Sequence, residues 1–140
     1  MCSHYQLRVR LHDLARRFRF ALAEPLEQKD DIRPTDRAPV IAGDRRPRLL
    51  TWGLPSAWDG KPLINARAET LQNRRTFRRI LENRCLVPAT AYFEWRRYGR
   101  ERLKNVIAPA DGATFAFAGL FDGTCLTIVT RAAAPAIAHI

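Results

Sequence analysis

Residues 84–95 read Arg-Cys-Leu-Val-Pro-Ala-Thr-Ala-Tyr-Phe-Glu-Trp, a run dominated by apolar and aromatic side chains. Residues of these types fit a pleated, half-buried surface, so we predict one long strand over residues 85–95. A hairpin turn at Tyr98-Gly99 then leads to a return strand at residues 106–108. The centre of the chain is therefore predicted to be an antiparallel sheet.

Further strands are predicted on both sides of this stretch. Residues 114–120 and 124–130 form two strands separated by the turn Asp122-Gly123, and residues 39–42 and 48–53 form two more. Residues 5–10 alternate between apolar and polar side chains, as a short strand does. The strands are thus spread over most of the sequence.

Two helices are predicted between these strands. Apolar residues from Leu11 to Leu22 recur at helical spacing, and Pro25 is expected to end that helix. The second helix covers residues 74–83, with its apolar side chains inward and its arginines around them. Many short strands with two flanking helices predict one α+β domain over residues 1–140, built on a curled, largely antiparallel sheet.

The composition indicates an anionic partner. The formal net charge is +10, and of 24 basic residues only Lys29, Lys61 and Lys104 are lysines. Arginine pairs its planar fork with phosphate oxygens and stacks on bases, so this surplus favours nucleic acid. A genome rich in arginine and alanine codons would give the same excess without any binding function, and both explanations stay open. The charge is concentrated in residues 65–104, where eleven Arg or Lys accompany four Glu, a net charge of +7.

The three cysteines, Cys2, Cys85 and Cys125, argue against two kinds of site. Their odd number, without a C-x-x-C pair or a histidine at metal spacing, disfavours a disulfide framework and a structural zinc site. We expect no metal and no cofactor. No apolar run approaches the ~20 residues of a membrane span, and the amino terminus lacks the apolar core of a secretion signal. We therefore expect a cytoplasmic protein with reduced thiols.

Met1-Cys2 is the first candidate for chemistry. Because the second residue is small, normal processing can remove Met1 and leave Cys2 with a free α-amine beside its thiol. An α-amine titrates near roughly 7.7–8.0 and a thiol near about 8.5, so both nucleophiles are available at neutral pH. Such an aminothiol forms an imine with an aldehyde and then closes through sulfur to a thiazolidine. The alternative is that Cys2 is an ordinary small, partly buried residue.

Asn65 and Glu94 are two further candidates. Asn65 lies within an apolar segment, and Glu94 lies between two aromatic residues on the long predicted strand. Partial burial raises the pKa of a carboxyl whereas nearby arginines lower it, so the sequence leaves the direction open. In the alternative, Asn65 caps or turns the backbone and Glu94 pairs with Arg67 or Arg96.

Taken together, these residues resemble the SOS response-associated peptidase (SRAP) family over nearly the whole sequence. The most specific match is Leu63-Ile64-Asn65-Ala66-Arg67-Ala68-Glu69-Thr70, which is similar to the family signature I-N-A-R-x-E-T. Residues 84–95 are similar to the family block R-C-L-x-P-A-x-G-Y/F-Y/F-E-W. The other matching blocks are residues 1–5, 32–35 with 39–41, 52–58, 117–120 and 127–130.

The resemblance implies an SRAP-like barrel that recognises abasic sites in single-stranded DNA and links to them covalently. The α-amine of Cys2 would attack the aldehyde of the ring-opened deoxyribose, and the thiol would close a thiazolidine crosslink that protects the lesion. Asn65 would hydrogen-bond the adduct, and Glu94 would assist the proton transfers. The peptidase name of the family would reflect self-removal of residues that precede this cysteine.

The resemblance also implies a DNA-binding surface. Arg67 would bind a phosphate beside the lesion. Pro34, Trp52 and Trp95 would shape the slot into which the strand bends, with Trp52 as the base-stacking surface. Single-stranded DNA that contains abasic sites is thus the expected partner, and we expect a monomer that acts at the nucleoid in the DNA damage response.

Three departures limit what is carried over from the family. Ser3 and His4 stand where the family has glycine and arginine, so His4 would replace a phosphate-binding arginine only in part, being mostly neutral at pH 7. Ala91 stands where the family has glycine. The sequence ends at Ile140, before the histidine of the family motif I-H-x-R-M-P, and His139 is one residue early. We therefore expect a domain incomplete at its carboxyl end, a fragment or a shortened copy, with histidine-assisted steps such as strand cleavage impaired.

Other hypotheses stay open. The chain could be a non-catalytic basic module that holds single-stranded nucleic acid in a salt-sensitive way, independently of Cys2. It could be an inactive, shortened member of the family. It could also be a thiol peptidase acting on other proteins, although no complete Cys–His pairing is evident in the sequence.

Overall fold

The fold consists mainly of short strands. The computed structural model of the chain describes residues 1–22, 27 and 29–140. The strands are β1 (Tyr5–Gln6), β2 (Asp31–Ile32), β3 (Arg37–Ala42), β4 (Pro47–Trp52), β5 (Asn65–Arg67), β6 (Arg84–Ala89), β7 (Ala91–Tyr98), β8 (Glu101–Ile107), β9 (Phe115–Phe121) and β10 (Cys125–Thr130). The α-helices are α1 (Leu11–Phe18) and α2 (Arg75–Arg78). Neither they nor any other helix of the described residues has the length and apolar character needed to cross a membrane.

Five strands close into a barrel. They follow the order β4-β3-β6-β9-β10, and β10 returns to β4 through a parallel pairing that places Leu126 opposite Trp52. The other pairings in the ring are antiparallel. β5 adds to the remaining part of β10 as a parallel strand, with Asn65 opposite Ile128. The predicted α+β fold with a curled, largely antiparallel sheet is confirmed.

The second sheet contains four strands in the order β2-β1-β7-β8. The prediction of one unbroken strand over residues 85–95 is wrong, because the chain bends at Thr90 and passes there from the barrel to this second sheet. The Thr90 hydroxyl holds the bend: it accepts a hydrogen bond from the Arg8 backbone N–H at 3.1 Å and donates one to the Gln6 carbonyl at 3.2 Å. The bend therefore places Glu94 in the sheet that also contains the amino-terminal strand.

Aromatic side chains join the two sheets into one core. Tyr5 and Trp52 are fully buried and meet edge to face, with ring centroids 5.3 Å apart. Tyr5 meets Phe117 of the barrel in the same way at 5.6 Å. Each buried aromatic removes roughly 150–250 Å² of surface from water, so these contacts hold β1 firmly against the barrel. Because Tyr5 is only three residues from Cys2, the same contacts also fix where the amino terminus lies.

Both helices are shorter than predicted. α1 ends at Phe18 because Arg19 adopts the left-handed backbone conformation, with φ 54°, and donates its N–H to the Ala15 carbonyl. Leu22 lies beyond the helix and is exposed, while Pro25, the predicted helix end, falls outside the described residues. The second predicted helix, over residues 74–83, is reduced to the single turn of α2.

The sequence pattern does not predict β2 or β5. Each strand has only two or three residues, too few to show an alternation between apolar and polar positions. Both are defined instead by pairing with a neighbour, β2 with β1 and β5 with β10. Both also begin next to the amino terminus of the chain, since β5 starts at Asn65 and β2 starts at Asp31.

Candidate active site

Cys2 is almost completely buried in the segment that leads into β1, with only 3% of its surface exposed. Its Sγ donates a hydrogen bond to the His4 carbonyl at 3.8 Å. Burial raises the pKa of the Cys2 thiol to about 12, and the negative charge of Glu94 acts in the same direction. With Met1 in place, the thiol is therefore neutral at pH 7.

Asn65 holds the backbone of Cys2. Its Nδ2 donates a hydrogen bond to the Cys2 carbonyl at 2.7 Å. The pairing of β5 with β10, where Asn65 lies opposite Ile128, brings it to this position. Asn65 Oδ1 is buried and accepts no hydrogen bond from the described residues. Because an unsatisfied buried amide oxygen costs free energy, this atom is an acceptor ready for a bound group.

Glu94 lies on β7 beside the amino terminus. Its Oε1 is 3.1 Å from the α-ammonium nitrogen of Met1, and its Oε2 is 3.3 Å from the same atom. Neither Arg67 nor Arg96, the partners considered from the sequence, forms an ion pair with Glu94 in the described part of the chain. The structure thus brings Glu94, Asn65 and the amino-terminal cysteine together from three separate segments.

His4 is held inward by two neighbours. Its ring stacks on Phe93, with centroids 4.2 Å apart, and its Nε2 lies 3.2 Å from Asp31 Oδ1. Burial lowers the pKa of His4, so the ring is mostly neutral at pH 7. Nε2 therefore faces a carboxylate rather than a phosphate, and the ring anchors the segment that carries Cys2. The partial phosphate-binding role of His4 stays a prediction.

The prediction that Trp52 stacks on a base is wrong. Its side chain has no exposed surface, and its Nε1 donates a hydrogen bond to the Ile64 carbonyl at 2.9 Å. Trp58, six residues later in the same sequence block, is 95% exposed. Sequence reasoning missed Trp58 as a candidate. The available signal was that Trp52 belongs to a predicted strand, whereas Trp58 follows the strand-ending Gly53 in an irregular loop.

Replacing Trp52 with alanine is expected to lower the free energy of unfolding by about 3–5 kcal/mol, because a fully buried aromatic is lost. The Ile64 carbonyl also loses one of its two donors and keeps only the backbone N–H of Ile128. Replacing Trp58 with alanine should change the same quantity by less than about 0.5 kcal/mol. Urea unfolding followed by circular dichroism measures both, and equal destabilisation by the two changes would contradict the assignment of one tryptophan to the core and the other to the surface.

Trp58 borders an open cavity of about 620 Å³. Arg75 and Arg79 also line this cavity, together with the apolar Leu54 and Ile80. An exposed aromatic surface beside two guanidinium groups is suited to a nucleobase and its phosphates. The loop that carries Trp58 runs from the end of β4 to the start of β5, so the cavity and the Asn65 side chain are supported by the same segment.

The three remaining candidates lie in different surroundings. Arg67 is exposed at the end of β5, two residues beyond Asn65. Pro34 is half-buried in the turn that follows β2. Trp95 is 43% exposed on β7, directly after Glu94. Because neighbouring strand residues point to opposite faces, the Trp95 ring and the Glu94 carboxylate lie on opposite faces of the sheet.

Comparison with known proteins identifies a family and several relatives of this chain. The profile of the SOS response associated peptidase (SRAP) family matches residues 1–140. Abasic site processing protein YoaM of Bacillus subtilis is 30% identical, over 87% of this chain and 60% of its own length. Abasic site processing protein YoqW of the same species is 30% identical, over 94% of this chain and 69% of its own length. The chain thus spans between 60% and 69% of the length of these relatives.

The fold is also found among solved structures. A crystal structure of a protein from Bacteroides thetaiotaomicron superposes on this chain with a TM-score of 0.78 at 25% sequence identity. The superposition covers 93% of this chain and 68% of the other. The similarity in fold therefore extends over most of this chain, well beyond the short sequence blocks.

Proposed function

The chain belongs to the SOS response associated peptidase (SRAP) family, and from this we propose that it processes abasic sites in single-stranded DNA by linking Cys2 covalently to the exposed aldehyde. One observation carries the proposal: Cys2, Asn65 and Glu94 meet at one place although they come from distant parts of the sequence. The two Bacillus relatives, which are named abasic site processing proteins, support the choice of substrate.

The proposed reaction begins when Met1 is removed and the α-amine of Cys2 is freed. The amine attacks the aldehyde carbon of the ring-opened deoxyribose, and loss of water gives an imine. The sulfur of Cys2 then adds to the imine carbon while the thiol proton passes to nitrogen, which closes the thiazolidine. The atoms balance with water as the only product released. Because the sulfur is tethered to the imine that it attacks, its high effective concentration favours ring closure.

Glu94 and Asn65 assist this sequence in different ways. Glu94 already binds an ammonium group 3.1 Å away, so its carboxylate is suited to accept the proton of the attacking amine and to return one to the departing hydroxyl. Asn65 Nδ2 keeps the Cys2 carbonyl in place at 2.7 Å. The unpaired, buried Oδ1 of Asn65 accepts a hydrogen bond from the adduct.

The DNA strand would pass over the exposed cations near this site. Arg67 takes a phosphate beside the lesion, and Arg75 lies farther along in the cavity bordered by Trp58. Trp58 takes the base-stacking role that the sequence suggested for Trp52. Pro34 and Trp95 remain candidates for the walls of the path.

We expect a denaturation-resistant band when the protein is incubated with a uracil-containing oligonucleotide that a glycosylase has converted to an abasic strand. The untreated strand should give no band, and the abasic strand capped with methoxyamine should give none either, because its aldehyde is blocked. The intact mass of the crosslinking protein should show that Met1 is absent. An equal band with the capped strand, or no band with the open aldehyde, would contradict the proposal.

A non-catalytic module for single-stranded nucleic acid is the second candidate. The net charge of +10 and the nearly complete burial of Cys2 favour it. It predicts the same affinity for abasic and intact strands, strong weakening by salt and no covalent product. The capped and open strands of the crosslinking assay therefore separate the two candidates directly.

A further inference from the structure

Removal of Met1 would leave the proposed nucleophile at the very end of the chain, where residues fray unless neighbouring groups hold them. β1 begins only at Tyr5, so residues 2–4 precede the first paired strand. Hydrogen bonds reach the backbone of this segment from two other strands. Asn65 Nδ2 donates to the Cys2 carbonyl at 2.7 Å, and the Phe93 backbone N–H donates to the His4 carbonyl at 3.0 Å. The side chains that follow Cys2 add a further attachment.

That attachment is the carboxylate of Asp31, which collects three side chains from alternate positions of the amino-terminal segment. Its Oδ1 lies 3.2 Å from His4 Nε2 and accepts a hydrogen bond from Gln6 Nε2 at 3.0 Å. Its Oδ2 accepts a hydrogen bond from Arg8 Nη2 at 3.2 Å. Asp31 is directly opposite Gln6 in the pairing of β1 with β2. One carboxylate therefore ties residues 4, 6 and 8 to the neighbouring strand.

His4 connects this carboxylate to Cys2. Because a carboxylate only accepts hydrogen bonds, the proton on His4 Nε2 points to Asp31. The His4 ring also stacks on Phe93, with centroids 4.2 Å apart, and its side chain is only 11% exposed. The His4 carbonyl in turn accepts the hydrogen bond of Cys2 Sγ at 3.8 Å. His4 thus joins β2 and β7 to the segment that carries the thiol.

Asp31 keeps its charge over the pH range in which an α-amine reacts. Hydrogen bonds from Gln6, Arg8 and His4 outweigh the opposing effect of burial and lower the pKa of the Asp31 carboxyl to about 2. Because this pKa lies below that of Asp in an unfolded chain, the stability that the carboxylate contributes is complete above about pH 5 and is lost as the pH falls toward about 2. The attachment is therefore constant at neutral pH.

We propose that Asp31 is a positioning residue, which acts through His4 to keep the α-amine of Cys2 within reach of Glu94 after Met1 has been removed. A displacement of about 1 Å from the reactive geometry can slow a reaction about 100-fold, so a frayed end would react poorly with a bound strand. The inference rests on the proposed function for the reaction that it assists. The anchoring of the chain end can be measured without DNA.

Single-turnover crosslinking to saturating abasic DNA is the first measurement. Asp31→Ala should lower the rate constant about 10- to 100-fold without weakening DNA binding, because the change removes a negative charge. Asp31→Asn keeps an oxygen that can accept the hydrogen bond of His4 and should recover most of the rate. Asp44→Ala is the matched control, since it removes an exposed carboxylate that pairs with Arg48 at 2.7 Å in the turn after β3. It should crosslink at the wild-type rate.

A double-mutant cycle tests the route through His4. His4→Phe keeps an aromatic ring for stacking on Phe93 but removes the proton that reaches Asp31. If Asp31 acts through His4, the variant Asp31→Ala/His4→Phe should be no slower than the slower of the two single variants. Effects that multiply in the double variant would overturn this route, and so would an equal loss of rate in Asp44→Ala.

Two measurements need no DNA. Amide hydrogen exchange in residues 3–6 should be about tenfold faster in Asp31→Ala, while exchange in β6 and β9 should be unchanged, which excludes general unfolding. The aminothiol of Cys2 should also form a thiazolidine faster with glyoxylate, a small aldehyde that reaches a frayed end more easily than a buried one. Unaltered exchange in residues 3–6 would overturn the inference. A wild-type protein that gives no crosslink would contradict the proposed function instead, and the exchange result would still decide the role of Asp31.

Discussion

Replacing Cys2 with alanine is expected to abolish the denaturation-resistant crosslink to abasic DNA. Alanine is also small, so removal of Met1 should continue and the α-amine should remain. The amine still forms an imine with the aldehyde, but without sulfur the imine is not closed to a thiazolidine and hydrolyses on denaturation. Borohydride reduces an imine to a stable amine and should therefore recover a band from the variant. Electrophoresis with and without borohydride thus separates the two proposed roles of Cys2.

Cys85→Ala is the matched control for this experiment. Cys85 is another buried cysteine, and burial raises the pKa of its thiol to about 12, as it does for Cys2. It lies on β6, in the barrel wall, whereas Cys2 lies in the segment before β1, beside Glu94. The control should crosslink like the wild type. An undiminished band from Cys2→Ala without borohydride, or a lost band from a folded Cys85→Ala protein, would contradict the role given to Cys2.

Local patterns predict the barrel strands well but not their interruptions. β3, β4, β9 and β10 fall within a few residues of the predicted strands, since each runs for six or seven residues and is bounded by turn residues. Thr90 shows what such patterns miss. The apolar character of the sequence continues across it, whereas the hydrogen bonds of its hydroxyl with Gln6 and Arg8 and the different strand partners of Ala89 and Ala91 show that the chain changes sheets there.

The candidate site shows a second limit of sequence reasoning. Motif resemblance selected Asn65 and Glu94, but the sequence contains no information on their distance from Cys2, because the three segments meet only through strand pairing. The two tryptophans make the same point. Whether the Trp52 side chain is buried or exposed depends on the parallel pairing of β4 with β10. This pairing joins distant segments, so the local alternation of apolar and polar residues does not predict it. Trp58 lies beyond that pairing and stays at the surface.

Substituting glutamine for Glu94 is expected to slow crosslink formation by about 10²- to 10³-fold at saturating abasic DNA. Glutamine keeps the size of the side chain but removes both the charge that holds the amino-terminal ammonium and the base that takes its proton. Affinity for DNA should not fall, because a carboxylate repels phosphate and its loss removes that repulsion. Single-turnover kinetics measure the rate constant and the affinity separately.

Glu101→Gln is the control for the change in charge. Glu101 is exposed on β8 in the same sheet, and it is directly opposite Tyr98 rather than beside the amino terminus. Its replacement should leave the rate constant of crosslinking at the wild-type value. Because both variants raise the net charge equally, a slow reaction confined to Glu94→Gln assigns the effect to the position of that carboxylate. A wild-type rate in Glu94→Gln would mean that another group or water carries the proton, and that Glu94 only holds the amino terminus in place.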